Sequence, residues 1–564
     1  MASPKDYNTF NKVQRYRISV IIEEFAENLV KISGKCMDIG CGPGDTTKEF
    51  LLPNIDSNGQ IIGTDISESL IKYANDTFKD EKRLQFDILN IETKNLPKKY
   101  ISEFNHIFSF HTLQWCNDIR QALENIYQML QPDGTMLLQI VASHDIYEVL
   151  RILAQDTRFA SYVPEAMKNV SPYQESKNPR KELKELLGSI GFTVYHCSLR
   201  EASYSDKTSE SFINSILSIL TFFNDMPKDL MKDFKNVFRH EYMRRKINYI
   251  SIHNNEDYTL DLYKELVVYA QKIIFLFLMM ITINNDIIKR PYNPLMYITS
   301  NRSQREKAFA IIDEFNEYLK NISGKCIDIG CGPGDVTKDI ILPALDPNAV
   351  VIGTDISESM IDYAKKRYTK EKRLEFEVLD IQTKNLPTKY VSEFDLVLSF
   401  HTLHWCNDIK QAFENIYHML RPNGTMLVFF VVSHNIFNVL ENLIYDIRFA
   451  PYIKDVNKYT WPLRNSINPR KQLKELLQTL GFTVIHCSHR DIFHQDSDLN
   501  GFFSSIIAFL DFIDHMPCDR KEEFKKEFAD KFAESQIIYK QKNNQKMALD
   551  VYRVLIAFAK KHVT

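Results

Sequence analysis

The sequence predicts an α/β protein made of two tandem domains, each a mostly parallel sheet with helices on both faces and a helical cap. Three observations predict it. Long blocks recur at a fixed offset of 290 residues, short apolar runs alternate with helical segments inside each copy, and a glycine-rich turn joins the first run to its helix.

The repeat sets the architecture. KISGKCMDIGCGPGDTTKEF, ending at Phe50, returns as NISGKCIDIGCGPGDVTKDI, ending at Ile340. GTDISESLIKYA returns as GTDISESMIDYA, SFHTLQWCNDI as SFHTLHWCNDI, and NPRKELKELL as NPRKQLKELL, all at the same offset. Copy one spans residues 1–272 and copy two residues 299–564. Residues 273–298 have no counterpart and read as a linker; the alternative is a join between two separately expressed halves, which a product of half the mass would reveal. A chain of 564 residues exceeds what one hydrophobic core organises, so two domains are the natural division.

In copy one, CMDIG is a buried strand before a glycine turn, and GDTTKEFLLP opens a helix that Pro53 stops. QIIGTDI is a second buried strand, followed by the helix SESLIKYANDTF with Ser67 as its cap. RLQFDILNI, FNHIFSF and TMLLQIVAS read as further strands, with the helix DIRQALENIYQML between the last two. Beyond Ser198 the pattern turns helical, as a cap, before a closing strand LDLYKELVVYA.

Composition excludes several classes. With 44% hydrophobic and 25% charged residues the chain is globular, and a net charge of -3 gives no pull toward nucleic acid. The nine cysteines form no C-x-x-C pair and the N-terminus has no apolar leader, so reduced thiols in the cytoplasm are expected. The apolar run from Ile273 to Ile283 is too short to span a bilayer. No spacing of His, Cys, Asp and Glu points to a metal.

The loop Asp38-Ile39-Gly40-Cys41-Gly42-Pro43-Gly44-Asp45 carries the chemistry. Its glycines let the backbone turn tightly and approach a ligand at the carboxyl edge of the sheet. A dinucleotide loop would need its third glycine where Asp45 stands, and an acid there repels pyrophosphate. Asp38 and Asp45 instead suit a cation, such as a sulfonium bearing an α-ammonium group. Asp65 ends the second strand, where a carboxylate accepts both ribose hydroxyls. Asn90, at the next strand end, can accept from the adenine amino group while Ile91 packs on the ring. Copy two repeats the set as Asp328, Gly330, Gly332, Gly334, Asp335, Asp355, Asp380 and Ile381. Ile66 and Ile356, after the ribose acids, and Phe110 and Phe400, closing the fourth strands, complete the expected cofactor contacts. His111 and His401 are alternative bases for a hydroxyl or amine acceptor. Shape or packing is the simpler role for them, as it is for Cys41 and Cys331; His144 and His434 stay unassigned.

DIGCGPGD, GTDISES and the SFHTLxW segment resemble the class I methyltransferases, and within them the arthropod juvenile hormone acid O-methyltransferases. The resemblance covers nearly all of each copy. It implies a Rossmann-like fold with a seven-stranded sheet in each copy, S-adenosyl-L-methionine as cofactor, and a small apolar acid such as farnesoic acid or juvenile hormone acid as the methyl acceptor. It also implies that Gln14 and Trp115 in copy one, and Gln304 and Trp405 in copy two, are the catalytic pair holding the acceptor carboxylate. A carboxylate is already ionised at neutral pH, so it needs alignment by neutral donors and no general base. Two other readings remain: methylation of a hydroxyl, amine or carbon, and a duplicated cofactor-binding module with an inactive copy. Copy one departs from the family at Asn90, where aspartate is favoured, so copy two is expected to be the more active half.

Overall fold

The computed structural model describes residues 11–162, 171–207, 210–220, 226–250, 256–272, 294, 297–298, 301–453, 463, 466–496, 507, 510–540 and 546–562. The chain divides into two compact units, Met1–Phe277 and Leu278–Thr564. Of the stretch read as a linker, only Pro294, Tyr297 and Ile298 lie among the described residues.

Copy one contains strands β1 (Lys35–Ile39), β2 (Gln60–Asp65), β3 (Leu84–Ile88), β4 (Phe104–Phe110), β5 (Leu130–Ser143), β6 (Phe192–Asp206), β7 (Ile247–Ile250) and β8 (Asp257–Lys272). The path β3-β2-β1-β4-β5-β8-β6 is the seven-stranded sheet the resemblance implies, and the order reverses beside β1. Strands β1 to β5 are parallel, as in Asp38 opposite both Gly63 and Phe108, whereas β8 runs antiparallel between β5 and β6. The short β7 adds an eighth strand beyond the seven expected. Its four residues, INYI, are too few to show a period in sequence.

Helices cover both faces. α1 (Lys12–Leu29) buries Ile18, Ile21, Ile22 and Phe25 against one side of the sheet. α2 (Glu68–Thr77) starts where predicted, with the Ser67 hydroxyl accepting from the Leu70 amide at 3.3 Å. α3 (Ile119–Met129) has an unpredicted cap, Asp118, which accepts from the Gln121 amide at 3.0 Å. The segment before Pro53 is less regular than expected: a π-helical turn over Thr47–Leu51 runs into a 3₁₀ turn over Leu52–Asn54. Proline at the second position of that turn has no amide to continue an α-helix.

The cap follows β5 and β6. It comprises α4 (Asp145–Gln155), α6 (Glu210–Ile219) and α7 (Lys228–Met243), which share a cluster holding Leu150, Leu153, Phe234 and Phe238; α5 (Pro179–Ile190) lies on the sheet. Copy two repeats the sheet as β9 (Lys325–Ile329), β10 (Val350–Asp355), β11 (Leu374–Val378), β12 (Phe394–Phe400), β13 (Leu420–Ser433), β14 (Phe482–Asp496), β15 (Ile537–Lys540) and β16 (Lys546–Lys561), in the matching order. Its first helix is α8 (Arg302–Glu314), and α9 (Asn435–Ile444) corresponds to α4.

Candidate functional site

In each copy the glycine loop follows β1 or β9, and Asp65 or Asp355 ends the neighbouring strand, so these parts lie at the carboxyl ends of the parallel strands, beside the point where strand order reverses. Gly40, Gly42 and Gly44 all adopt positive φ, as do Gly330, Gly332 and Gly334. The outer two of each trio are needed for packing. A Cβ on Gly40 would lie 2.0 Å from the Thr112 hydroxyl, and one on Gly44 would lie 2.7 Å from the Phe86 ring. The middle glycine faces the site: a Cβ on Gly332 meets only the Tyr297 ring among the described residues, at 3.6 Å. This leaves the backbone of the loop open to close approach by a ligand.

Asp65 and Asp355 hold the loop to the next helix. Asp65 accepts from the Gly42 amide at 3.1 Å and the Ser67 amide at 2.8 Å; Asp355 accepts from Gly332 at 2.9 Å and Ser357 at 2.8 Å. Asp38 accepts from the Thr47 hydroxyl at 2.6 Å, and Asp328 from Thr337 at 2.7 Å. Burial pushes Asp38 and Asp328 up to about 7 and Asp355 up to about 6, and raises Asp65 as well. Neighbouring carboxylates add to the first two. Such a cluster is poorly satisfied alone and fits a cationic ligand, as the sulfonium reading requires.

The ionised carboxylates are the form that pairs with a cation, and they protonate as pH falls through 7 and then 6. S-adenosylmethionine affinity is therefore expected to drop by roughly tenfold or more between pH 7 and pH 5, with proton release on binding in that window. Titration calorimetry in buffers of different ionisation heat checks it; affinity flat across that range contradicts it.

Asp45 and Asp335 have a different task from the one read in the sequence. Asp45 pairs with Arg15 of α1, which also reaches Glu49. Asp335 accepts from Arg305 and, at 3.0 Å, from the Asn301 amide group. These acids therefore anchor the first helix to the glycine loop, with their charge already matched by an arginine. The signal was available as N-x-x-Q-R, present at both Asn11–Arg15 and Asn301–Arg305. In copy two the anchored helix carries Gln304, which lines the cavity described below.

Asn90 is exposed, and its side chain accepts from the Glu92 amide at 2.9 Å; Asp380 does the same for Gln382. Ile91 and Ile381 are buried within core clusters, so their side chains are already packed; Ile66, 65% exposed beside Asp65, is the apolar surface on offer there. Phe110 and Phe400 are buried at the ends of their strands.

In copy two, Gln304, Trp405, His401, His404, His434, Phe437, Tyr552 and Tyr297 line one cavity of about 40 Å³. Trp405 stands edge-on to Phe437 at 6.0 Å, as Trp115 does to Tyr147 at 5.8 Å. His111 and His401 hold positive φ, unusual for a residue with a side chain, and their Nε2 atoms are buried with no hydrogen-bond partner among the described residues. Burial pulls His111 down to about 4 and His401 to about 3, and lowers His404 too.

His144 and His434 have defined places. The Nδ1 of each accepts a backbone amide at 3.0 Å, from Ile146 and Ile436, capping α4 and α9. Each Nε2 faces a buried carboxylate, Asp261 at 3.1 Å and Asp550 at 2.8 Å. An Nδ1 that accepts must carry its proton on Nε2, so both nitrogens are engaged. Burial alone would raise Asp261, but His144 and Lys246 hold it below the usual carboxylate range. In copy two Gln536 replaces Lys246, donating to Asp550 at 3.2 Å. Pairs 117 and 116 residues apart gave no local sequence signal.

The nine cysteines are free, and eight are buried, Cys41 and Cys331 among them. Among the described residues no helix is long and apolar enough to cross a membrane.

Comparison with known proteins agrees with this geometry. A family described as "Methyltransferase domain" matches residues 37–136 and 327–426. The juvenile hormone acid O-methyltransferase of Drosophila melanogaster is 31% identical over 271 residues, 47% of this chain and 91% of the relative. That of Bombyx mori is 30% identical over 275 residues, 48% of this chain and 97% of the relative. A malonyl-[acyl-carrier protein] O-methyltransferase of Bacillus anthracis is 31% identical over 148 residues, 26% of this chain and 52% of the relative. With the glycine loop, the strand-tip acids and the doubly wound sheet all present twice, the chain belongs to the S-adenosylmethionine-dependent methyltransferases of the juvenile hormone acid O-methyltransferase family, as a tandem pair of domains.

Proposed function

We propose that the acceptor is the carboxylate of a small apolar acid, of the terpenoid or fatty kind, which leaves as its methyl ester. The observation that carries this reading is the state of the histidines facing the cavity. His401 and His404 are held neutral and weakly basic by burial, and His434 has both nitrogens engaged. Copy one has the same arrangement at His111 and His144. None of these groups is suited to take a proton from an alcohol, whereas a carboxylate arrives with its charge already in place.

The bound cofactor supplies an electrophilic methyl group. The chain's part is to orient and dehydrate. Gln304 and Trp405 both line the cavity, and in this reading they donate an amide and an indole N–H to the carboxylate, fixing one oxygen in line for attack. Phe437 and Tyr552 exclude water from the same space, which raises the nucleophilicity of the anion. The names of the two insect relatives, both acid O-methyltransferases, support the same class.

Incubation with labelled S-adenosylmethionine and matched acids, alcohols and amines of one chain length tests the proposal. Label released by mild base is expected, from the acids alone, with kcat/KM nearly constant between pH 7 and pH 9. Label in a base-stable ether or amine contradicts it.

A further inference from the structure

We propose that Tyr297 is the aromatic wall of the second copy's cofactor site, its ring facing the sulfonium and so favouring the charged methyl donor over the neutral product. The inference rests on the cofactor assigned above and concerns a residue the sequence pattern placed in the linker.

Three observations fix its position. Carbon Cε1 of the ring lies 3.6 Å, and Cδ1 4.0 Å, from where a Cβ on Gly332 would stand, so the ring rests on the open face of the glycine loop. The same side chain lines the cavity with Gln304, Trp405 and His401, on the acceptor side. Its hydroxyl lies within the fields of Asp335, Asp355 and Asp328, which together with burial raise it above the ordinary tyrosine range. The phenol therefore stays protonated, and the ring adds no charge of its own. Tyr297 thus stands between the acid-lined pocket and the acceptor cavity, at the boundary the methyl group must cross.

An aromatic face attracts a cation through its quadrupole, and the attraction grows when water is excluded. The sulfonium is positive before transfer, and the thioether left behind is neutral. A ring in this position holds the donor and loses its grip on the product, without moving a proton. Nearby acids give the same preference more coarsely, but act on the ammonium group of donor and product alike. The first copy carries Tyr7 at the matching offset, outside the described residues.

The test uses the full chain carrying Asp65→Ala, so that the second copy is titrated alone, and compares S-adenosylmethionine with S-adenosylhomocysteine by calorimetry. Tyr297→Leu keeps an apolar wall without the quadrupole; it is expected to weaken the donor by about five- to thirtyfold and the product by less than about twofold. Tyr297→Phe is expected to keep the parent preference. Equal weakening of both ligands by Tyr297→Leu would mark a merely structural wall, and tighter binding of both would mark a ring that fills the ligand's place. Either result overturns the proposal. A parent chain that binds neither ligand would overturn the cofactor assignment beneath it.

Discussion

Asp355→Ala in the intact chain is expected to remove most methyl transfer, whereas Asp65→Ala leaves most of it. Each carboxylate fixes the glycine loop to the next helix through two backbone amides, at 2.8–3.1 Å, and in the proposed reading it also accepts the two ribose hydroxyls. Hydrogen bonds to a charged group contribute about 1.5–3 kcal/mol each, so losing two costs on the order of 100-fold or more in cofactor affinity. Both halves should suffer equally in binding; the difference lies in how much turnover each supplies. The third strand tip of copy two carries Asp380, where copy one has the uncharged Asn90. The surroundings of the histidine differ as well. Below His111 lies a buried network of Arg17, Glu265 and Gln139, and Phe429 packs edge-on to His401 at 4.6 Å. Turnover with labelled cofactor in the two single variants decides the order. Loss confined to Asp65→Ala would reverse it.

Arg490→Ala is expected to unfold copy two at a lower temperature than copy one. Arg490 donates both terminal nitrogens to Glu314 at 2.7 Å, with its Nε on the Ser488 hydroxyl at 2.9 Å, and the pair is buried. Glu314 is the last residue of α8, whose first turn carries Gln304. Removing one partner leaves the other charged and dehydrated, a cost of about 3–5 kcal/mol. For a domain of this size that lowers the melting temperature by roughly 6–20 °C. Scanning calorimetry of the whole chain should then show the altered half melting first, with a matching loss of acceptor binding in that half. Arg200→Ala, which breaks the equivalent pair with Glu24, should do the same to copy one. A single unshifted transition in either variant contradicts the clamp.

The parts of this protein legible in the sequence are those whose signals are local. The glycine loop, the strand-tip acids Asp38 and Asp65, and the Ser67 cap each declare themselves within a few residues, and duplication separates them from chance. The closing strand was visible from the apolar run LVVYA that ends LDLYKELVVYA. What escaped was non-local or conformational. Arg200 meets Glu24 across 176 residues, and His144 meets Asp261 across the whole cap. The positive φ of His111 has no compositional mark, since nothing in the histidine itself asks for it. Asp45 was legible as an acid but not as the partner of Arg15, because charge alone does not say whether it awaits a ligand or a neighbouring helix. Ile91 is ambiguous in the same way: an apolar residue at a strand tip suits either an adenine or the core, and its side chain packs in a buried cluster.

Calorimetric titration of the intact chain with S-adenosylmethionine tests the central claim most directly. Two sites per chain are expected, one for each glycine loop, with the weaker lost in Asp65→Ala and the stronger in Asp355→Ala. No heat with this ligand, together with saturable binding of a nicotinamide dinucleotide, would contradict it.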